Sequence, residues 1–245
     1  MTTDIVQIEQ LLIDMNNSSL TVTGRLIDAS NATLYAMCTV KNSGVEKEFP
    51  CIYKPIAGER PLWDFPDGTL ANREYLSFLL SHWLGLHLVP PTILRDGPYG
   101  TGMVQMWIDI DPEIDLMSFY TQNHPRLRSM ALFDIIINNT DRKIGHLIPT
   151  PDGHLYGCDH GVTFHPEDKL RTVLWQWAGQ EFSKDEIALL HQARELFEAS
   201  KRVIIESLID LEEIEATIAR IDRALIAGIF SQPSPDWPAV PWPPF

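Results

Sequence analysis

The 245-residue sequence is poor in cysteine and in basic residues, and both shortages exclude classes of protein. Its three cysteines lack CxxC spacing and lie inside apolar runs, which argues against a zinc site or a disulfide framework and favours a reducing compartment. Nineteen lysines and arginines face 33 aspartates and glutamates, so the net charge is −14. Because this charge repels phosphate backbones and anionic lipids, nucleic acid and membrane surfaces are not expected as partners.

Long apolar runs are also missing. No segment approaches the roughly 18 apolar residues of a membrane-spanning helix, and the first residues carry neither the basic stretch nor the apolar core of a signal peptide. We therefore expect a cytoplasmic protein without stable membrane association. With 44% apolar residues the chain can still bury a substantial core, as one large domain or two small lobes.

The sequence does contain a clear change from strand to helix periodicity. Alternating segments after a short amphipathic stretch predict three antiparallel strands, the third ending at Pro55. A helix ending near Gly85 and a further strand pair follow. From about Pro112 the pattern is helical, with one hairpin turning at residues 151–153, and residues 183–209 predict a single amphipathic helix.

This order of elements predicts an α+β, two-lobed fold. The β-rich, nucleotide-binding lobe with one main helix spans residues 1–108, and the mostly helical catalytic lobe spans residues 109–230. A tail at residues 231–245 is too rich in proline to be helical, and either drapes over a lobe or stays loose.

Three features of the N-terminal part occur in the order that phosphoryl transfer from a nucleotide requires. Lys54 ends the third strand, where its ammonium can neutralise phosphate oxygens, and Glu74 on the next helix can fix the direction of that lysine. Backbone groups around Gln105, Met106 and Trp107 can hydrogen-bond an adenine edge. Each feature alone has a simpler explanation. Lys54 could be an exposed lysine at a strand end, Glu74 a solvated charge on a helix face, and residues 105–107 part of a buried strand.

Two acidic segments continue that order in the C-terminal part. Asp141 follows a long apolar helix and is flanked by Arg142 and Lys143, which predicts an ionised carboxylate that orients a hydroxyl and takes up its proton. Lys143 would offset charge on the transferred phosphoryl group, and Arg142 is counted with Asp141 and Lys143 among the catalytic residues. Asp159 follows 18 residues later in "CDHG", a setting suited to Mg²⁺, which prefers hard oxygen ligands.

The segments "YKPIAGE", "EYLSFLLSHWLGLHLVPPTIL", "FDIIINNTDR" and "CDHGVTFH" resemble motifs of the phosphatidylinositol 3-/4-kinase family within the protein-kinase-like fold. The resemblance covers roughly residues 50–165 and is strongest to a bacterial, type II 4-kinase-like branch. It implies binding of ATP with Mg²⁺ or Mn²⁺, phosphate contacts from Lys54 supported by Glu74, Asp141 as the catalytic aspartate, and Asp159 as a metal ligand.

Two positions depart from the family pattern. No glycine-rich loop covers the phosphates, so backbone amides near Ser30 and Asn31 would have to cradle them. His146 stands five residues after Asp141, where the family has a metal-binding asparagine. Histidine offers a softer nitrogen ligand that favours Mn²⁺, Zn²⁺ or Fe²⁺ over Mg²⁺. His146 is a candidate metal ligand with Asp159, but it could instead donate to a phosphate oxygen or leave a second metal position unfilled, so the metal count and the catalytic rate stay open.

Three functions remain open at this point. The leading interpretation is a soluble ATP-dependent phosphotransferase that acts on a hydroxyl of a small molecule or a protein. The second is a nucleotide-binding pseudokinase that serves as an interaction module, and the third is an adenylyl transferase on the same fold. The acceptor itself is not encoded in any motif, since acceptor specificity resides in loops that vary on a shared scaffold.

Overall fold

A five-stranded antiparallel sheet dominates the N-terminal half of the computed structural model, which describes residues 5–26, 31–42 and 45–245. Its spatial order is β1-β2-β3-β5-β4, and every neighbouring pair of strands is antiparallel. The strands are β1 (Ser19–Arg25), β2 (Leu34–Asn42), β3 (Val45–Pro55), β4 (Thr92–Gly97) and β5 (Gly100–Met106). The three-strand meander and the later strand pair predicted from alternation are both confirmed.

Two helices pack against this sheet. Helix α1 (Ile5–Asn17) contributes Met15 to an apolar cluster with the inward residues of β2 and β3. Helix α2 (Leu70–Trp83) buries nine of its residues, because it lies between the sheet and the C-terminal half. Glu74 is one of those nine, so a carboxylate is held in the interior near the end of β3.

Close packing of β3 on β5 fixes the strand that carries Lys54. Lys54 pairs with Met103, and the neighbouring Gly102 lies so near that a Cβ atom there would come within 2.4 Å of the Lys54 carbonyl oxygen. Only glycine fits at that approach. The end of β3 is therefore held rigidly above the junction of the two halves.

The C-terminal half is mostly helical and is built around α4 (Pro125–Ile137). This helix buries nine of its 13 residues, eight of them apolar and one Asp134, as expected for a central helix. It begins with Pro125 after the capping His124 and ends at Asn138 in the left-handed conformation. The remaining elements are α3 (Leu116–Phe119), the hairpin β6 (Leu147–Pro149) and β7 (Leu155–Gly157), α5 (Lys184–Glu195), α6 (Arg202–Glu206) and α7 (Leu211–Ala227).

One predicted helix is wrong in its continuity. Residues 183–209 do not form a single amphipathic helix, because a π-helical turn at Leu196–Ser200 separates α5 from α6. The wider turn shifts the register by about one residue, and it buries both Leu196 and Phe197 in the core. The periodicity of the sequence does not reveal such a π-helical turn, since apolar residues continue across it.

The predicted α+β class, with a β-rich N-terminal part and a helical C-terminal part, is confirmed. The tail drapes over the C-terminal part: the Ala239 carbonyl accepts hydrogen bonds from the Thr172 amide and the Trp175 indole, and the Pro244 carbonyl accepts one from the Ile144 amide. In the described ranges, no helix combines the length and the hydropathy needed to cross a membrane.

Candidate active site

Lys54 joins the two acidic residues that flank it in space. Its Nζ lies 2.6 Å from Glu74 Oε1 on α2 and 2.8 Å from Asp159 Oδ1 in the segment after β7. The second Glu74 oxygen accepts a 2.9 Å hydrogen bond from the His160 amide. Glu74, only 2% exposed, thus ties β3, α2 and the Asp159 segment together at one point.

The charges in this trio reinforce one another. Burial alone would lower the pKa of Lys54, but the charges of Asp159 and Glu74 outweigh burial and raise that pKa above its ordinary value. The Lys54 charge holds the pKa of Asp159 well below its ordinary value, against the opposing effect of burial. Lys54 is therefore cationic and Asp159 anionic at neutral pH, and the Asp159 side chain is still 49% exposed to the cleft.

The loop after α4 presents Asp141 through a set of backbone contacts. The Asp141 backbone amide donates to Asn139 Oδ1 at 3.0 Å, and the side-chain Nδ2 of Asn139 donates to Asp134 Oδ1 at 3.0 Å. The Thr140 amide donates to the Val162 carbonyl, which ties the loop to the segment after Asp159. Asp141 is consequently fixed at the rim of the cleft with its carboxylate partly exposed.

Lys143 is the nearest cation to Asp141, with Nζ 3.4 Å from Asp141 Oδ2. Burial raises the pKa of the Asp141 carboxyl above its ordinary value, partly offset by the Lys143 charge, while the nearby Asp159 charge raises it further. The predicted stabilisation of the carboxylate by two flanking cations is therefore wrong in one respect: Lys143 lies beside Asp141, but Arg142 does not.

Arg142, predicted among the catalytic residues, is fully buried and points away from the cleft. Its guanidinium contacts Asp134 with NH2 to Oδ1 at 2.9 Å, donates to the Cys158 carbonyl at 3.1 Å, and lies 2.7 Å from His160 Nε2. It thus connects the Asp141 loop to the Asp159 segment. Burial, and then the Arg142 charge, lower the pKa of His160 well below its ordinary value, so this ring is neutral.

Three side chains converge where a metal ion would bind. Asp141, His146 and Asp159 each offer one ligand atom, and these atoms all lie within 4.8 Å of one another. His146 Nε2 is 3.6 Å from Asp159 Oδ2, and burial lowers the pKa of His146 to about 4. The imidazole is therefore neutral, the form that binds metals. Two carboxylates with one imidazole fit a divalent cation of the Mg²⁺ or Mn²⁺ type.

Of the described residues predicted to contact the nucleotide besides Lys54 and Glu74, only Asn31 lines the cleft. Ser30 lies outside the described residues, whereas Asn31 lines the cleft and its side-chain oxygen accepts a 2.8 Å hydrogen bond from the Arg60 amide. The amides of Met106 and Trp107 donate to the carbonyls of Pro91 and Pro50, at 2.8 and 3.0 Å. These two amides are thus already engaged within the protein.

Gln105, the remaining adenine candidate, is buried and donates from Nε2 to Thr92 Oγ1 at 2.9 Å. The Trp107 ring meets the Tyr35 ring edge to face, with centroids 5.3 Å apart. Gln105, Met106 and Trp107 do not line the cleft that contains Lys54 and Asp141. The structure therefore brings together Lys54, Glu74, Asp141, Lys143, His146 and Asp159, and sets these three residues apart from them.

The cleft also contains residues that sequence reasoning missed. It encloses about 470 Å³, and its outer part is lined by Trp63, Asp64, Lys169, Arg171 and Trp237. These residues come from the β3–α2 connection, from the segment after Asp159 and from the tail. No spacing in the sequence links them. The one available signal was Trp63, a large aromatic residue placed in a turn rich in proline and acid.

Comparison with known proteins identifies a relative and a shared fold. No family model matches the chain. Protein Rv2133c of Mycobacterium tuberculosis (strain ATCC 25618 / H37Rv) is 41% identical over an alignment of length 267, which covers 94% of this chain and 93% of the relative.

Two solved kinase-like structures are similar in backbone. Hydra Fam20, determined with sugar, has a TM-score of 0.55 at 15% identity over 91% of this chain and 88% of its own. The Golgi casein kinase with Mn and ADP bound has a TM-score of 0.59 at 14% identity over 91% of this chain and 76% of its own. At such identities the likeness establishes the fold alone. The protein-kinase-like fold predicted from the motif order is confirmed, and the phosphatidylinositol 3-/4-kinase branch stays a prediction.

Proposed function

The chain belongs to the family of the mycobacterial protein Rv2133c, and for this chain we propose an ATP-dependent phosphotransferase activity toward a hydroxyl group. One observation carries the proposal: Lys54, paired with Glu74, faces the same cleft in which ligand atoms of Asp141, His146 and Asp159 lie within 4.8 Å of one another. Phosphoryl transfer needs a phosphate-neutralising cation, a metal site and a carboxylate for the acceptor hydroxyl, and this cleft offers all three.

The nucleotide side of the reaction is assigned to the N-terminal part, residues 1–108. Lys54 neutralises phosphate oxygens and Glu74 keeps its ammonium in place. Backbone groups near Ser30 and Asn31 cover the phosphates. Gln105, Met106 and Trp107 stay predicted adenine contacts although they lie outside the lining of the cleft, and they would act through backbone groups other than the engaged amides of Met106 and Trp107.

The chemical side is assigned to residues 109–230. Asp141 orients the acceptor hydroxyl and takes up its proton, a role suited to a carboxyl whose pKa is raised by burial. Lys143 offsets charge on the transferred group. Asp159 and His146, together with Asp141, would hold Mg²⁺ or Mn²⁺, which when bound neutralises phosphate charge. Arg142 is a positioning residue, because it holds the Asp141 loop against the Asp159 segment.

The four motif segments also support a place beside the phosphatidylinositol 3-/4-kinases, in the bacterial, type II 4-kinase-like branch. The composition favours a cytoplasmic enzyme acting on a soluble acceptor. The net charge of −14 opposes approach to an anionic bilayer, which a lipid acceptor would require. Hydra Fam20 and the Golgi casein kinase share the fold, and the second was solved with Mn and ADP, which is consistent with metal-nucleotide use here.

The proposal is tested by following transfer from γ-labelled ATP with Mg²⁺ or Mn²⁺ in wild type, Asp141→Ala and Asp159→Ala. Each substitution should reduce the transfer rate by about 10²- to 10⁴-fold, since a general base or a metal ligand is lost. Glu212→Ala, at an exposed carboxylate in the first turn of α7, is the matched control and should leave the rate unchanged. Undiminished transfer in Asp141→Ala would refute the assigned mechanism.

The two alternatives give different results in the same assay. An interaction module would bind nucleotide but transfer no label with any metal, as the missing glycine-rich loop and the engaged amides of Met106 and Trp107 would allow. An adenylyl transferase would incorporate label from α-labelled ATP and release the γ-phosphate within pyrophosphate. Incorporation of γ-label alone supports the phosphotransferase.

A further inference from the structure

The outer part of the cleft has aromatic walls formed by distant parts of the chain. Lys169 Nζ lies 4.8 Å from the centre of the Trp63 ring and 4.6 Å from the centre of the Trp237 ring. Lys169 itself is buried and neutralised, because Asp64 and Glu167 lie 3.3 and 3.0 Å from its ammonium. The Trp63 residue is 84% exposed, so most of its ring surface is free to contact a ligand.

Two arginines at the same cleft have no carboxylate partner within the described ranges. Arg60 is exposed. Its backbone amide donates to Asn31 Oδ1, and its guanidinium makes no hydrogen bond or ion pair with the described residues. Arg171 donates from Nε to the Thr140 carbonyl at 2.8 Å, which leaves its other nitrogens free beside Asp141. Outside this cleft, Arg128, Arg194, Arg202 and Arg223 are each held by an aspartate or glutamate, whereas Arg95 and Arg126 donate to backbone carbonyls.

The acids of the cleft within the described ranges form no ion pair with these two arginines, although the Arg171 charge acts on Asp141 at longer range. Glu59 accepts from the Leu70 and Ala71 amides at the start of α2, Asp64 is bound to Lys169, and Glu74 and Asp159 are bound to Lys54. Asp141 faces Lys143 and the metal-binding position. The cleft thus offers two guanidinium groups without an ion-pair partner in the described ranges, together with a carboxylate for a hydroxyl.

We propose that this outer part is the acceptor site, and that the acceptor is a small soluble molecule carrying both a hydroxyl and a phosphate group. The inference rests on the phosphotransferase function proposed above. Arg60 and Arg171 bind the anion, Trp63 and Trp237 contact the carbon skeleton, and Asp141 receives the hydroxyl. A cavity of about 470 Å³ that also accommodates the γ-phosphate has the size typical of a small-molecule site.

The tail argues against a polypeptide acceptor. Trp237 forms one wall, and the following tail residues are hydrogen-bonded to the segments that contain Thr172 and Ile144. An extended peptide would need the space that this part of the tail occupies. In the reaction, the acceptor oxygen bonds to the γ-phosphorus, the bond from that phosphorus to the β,γ-bridging oxygen breaks, ADP leaves with the electron pair, and the hydroxyl proton passes to Asp141.

The test uses matched pairs of probes that differ only in the anion: glycerol and glycerol 3-phosphate, glucose and glucose 6-phosphate, inositol and inositol 1-phosphate. Transfer of γ-label and release of ADP are measured with the full chain, ATP and Mn²⁺. We expect the enzyme to phosphorylate at least one of the phosphorylated probes with a KM about ten- to hundredfold below that for its neutral partner. The neutral partner cannot form the charge-assisted hydrogen bonds to the arginines.

Variants separate the acceptor site from the nucleotide site. Arg60→Gln and Arg171→Gln should raise KM for the phosphorylated probe about tenfold or more and leave KM for ATP unchanged. Lys184→Gln, which removes an exposed charge at the start of α5, is the control and should change neither. The Arg60 side chain makes no hydrogen bond with the described residues, so Arg60→Gln should fold normally. This variant therefore tests the proposal even if Arg171→Gln does not fold.

Several outcomes overturn the inference without touching the proposed function. These are equal use of neutral and phosphorylated probes, transfer only to casein, transfer only to phosphatidylinositol in phosphatidylcholine vesicles, and an increase in KM for ATP rather than for the acceptor. Acceptor-independent ATP hydrolysis that needs Asp141, with none of the phosphorylated probes used, also overturns it. Absence of any Asp141-dependent ATP turnover instead contradicts the proposed function itself.

Discussion

His146 is the residue whose chemistry bears most directly on the choice of metal. It lies 3.6 Å from the Asp159 carboxylate, and burial keeps its imidazole neutral with a pKa of about 4. A neutral nitrogen donor beside two carboxylates selects borderline cations over hard ones. The family resemblance places an asparagine here, so this single position separates a magnesium-type site from a manganese-type one.

His146→Asn should shift metal preference from Mn²⁺ toward Mg²⁺. We expect Mn²⁺ affinity in the presence of a non-hydrolysable ATP analogue to fall about tenfold, because one nitrogen ligand becomes an oxygen ligand. Calorimetric titration of both metals measures the change, with His191→Asn on the exposed side of α5 as control. Unaltered Mn²⁺ affinity would show that His146 is not a ligand, and transfer gained only in His146→Asn would favour the interaction module.

Residue types could be predicted here better than side-chain directions. Lys54, Glu74, Asp141 and Asp159 were found from their order along the chain, because that order mirrors strand, helix, loop and hairpin. The direction of Arg142 could not be inferred, since its partner Asp134 is buried on α4 and neighbouring charges in sequence do not reveal opposite faces of a loop.

The tail is the element with the largest effect on the loops around the site. Its carbonyls at Ala239 and Pro244 accept hydrogen bonds from Thr172, Trp175 and Ile144, and Trp237 covers Lys169. The sequence left open whether the tail drapes or stays loose, because proline excludes helix without specifying a contact. Draping is what the structure shows, and its partners lie on both sides of the cleft floor.

Removal of residues 237–245 should destabilise the protein by about 2–4 kcal/mol, since three hydrogen bonds and one cation–π contact are lost at about 1 kcal/mol each. Urea unfolding followed by far-ultraviolet circular dichroism measures this change. Trp242→Ala is the control, because Trp242 is 90% exposed and its loss should change stability by less than about 0.5 kcal/mol. A truncated chain as stable as the full one would show that the tail does not hold these loops.

Over the whole molecule, seven of the eight histidines are partly or fully buried, and His160 and His165 are the most buried. Burial is the leading cause of a lowered pKa in six of the eight histidines: His82, His87, His146, His154, His160 and His165. The unfolded chain takes up protons on these rings near pH 6.5, whereas the folded chain does so only at lower pH. Stability from these groups is therefore complete only from about one pH unit above 6.5, and it is lost as the pH falls through and below 6.5.

We expect the free energy of unfolding to decrease between about pH 7.5 and about pH 5.5, by at most about 1.4 kcal/mol per pH unit for each such histidine. His87→Asn should flatten the slope, and asparagine tolerates the left-handed φ of 51° at this position. His191→Asn, at an exposed site on α5, should leave the slope unchanged. Identical slopes in wild type and His87→Asn would contradict the assignment, and the comparison cancels the effect of the 33 acidic residues.

The position of the last residues has a practical consequence for handling the protein. Pro244 is hydrogen-bonded to Ile144, and the Phe245 ring lies next to Gly145, in the same turn as His146. An affinity tag or surface linker fused after Phe245 would emerge beside the metal-binding turn, where a polyhistidine sequence could deliver imidazole ligands of its own. A tag or linker attached at the other end of the chain avoids this effect. The metal affinity that is then measured comes from the protein's own residues.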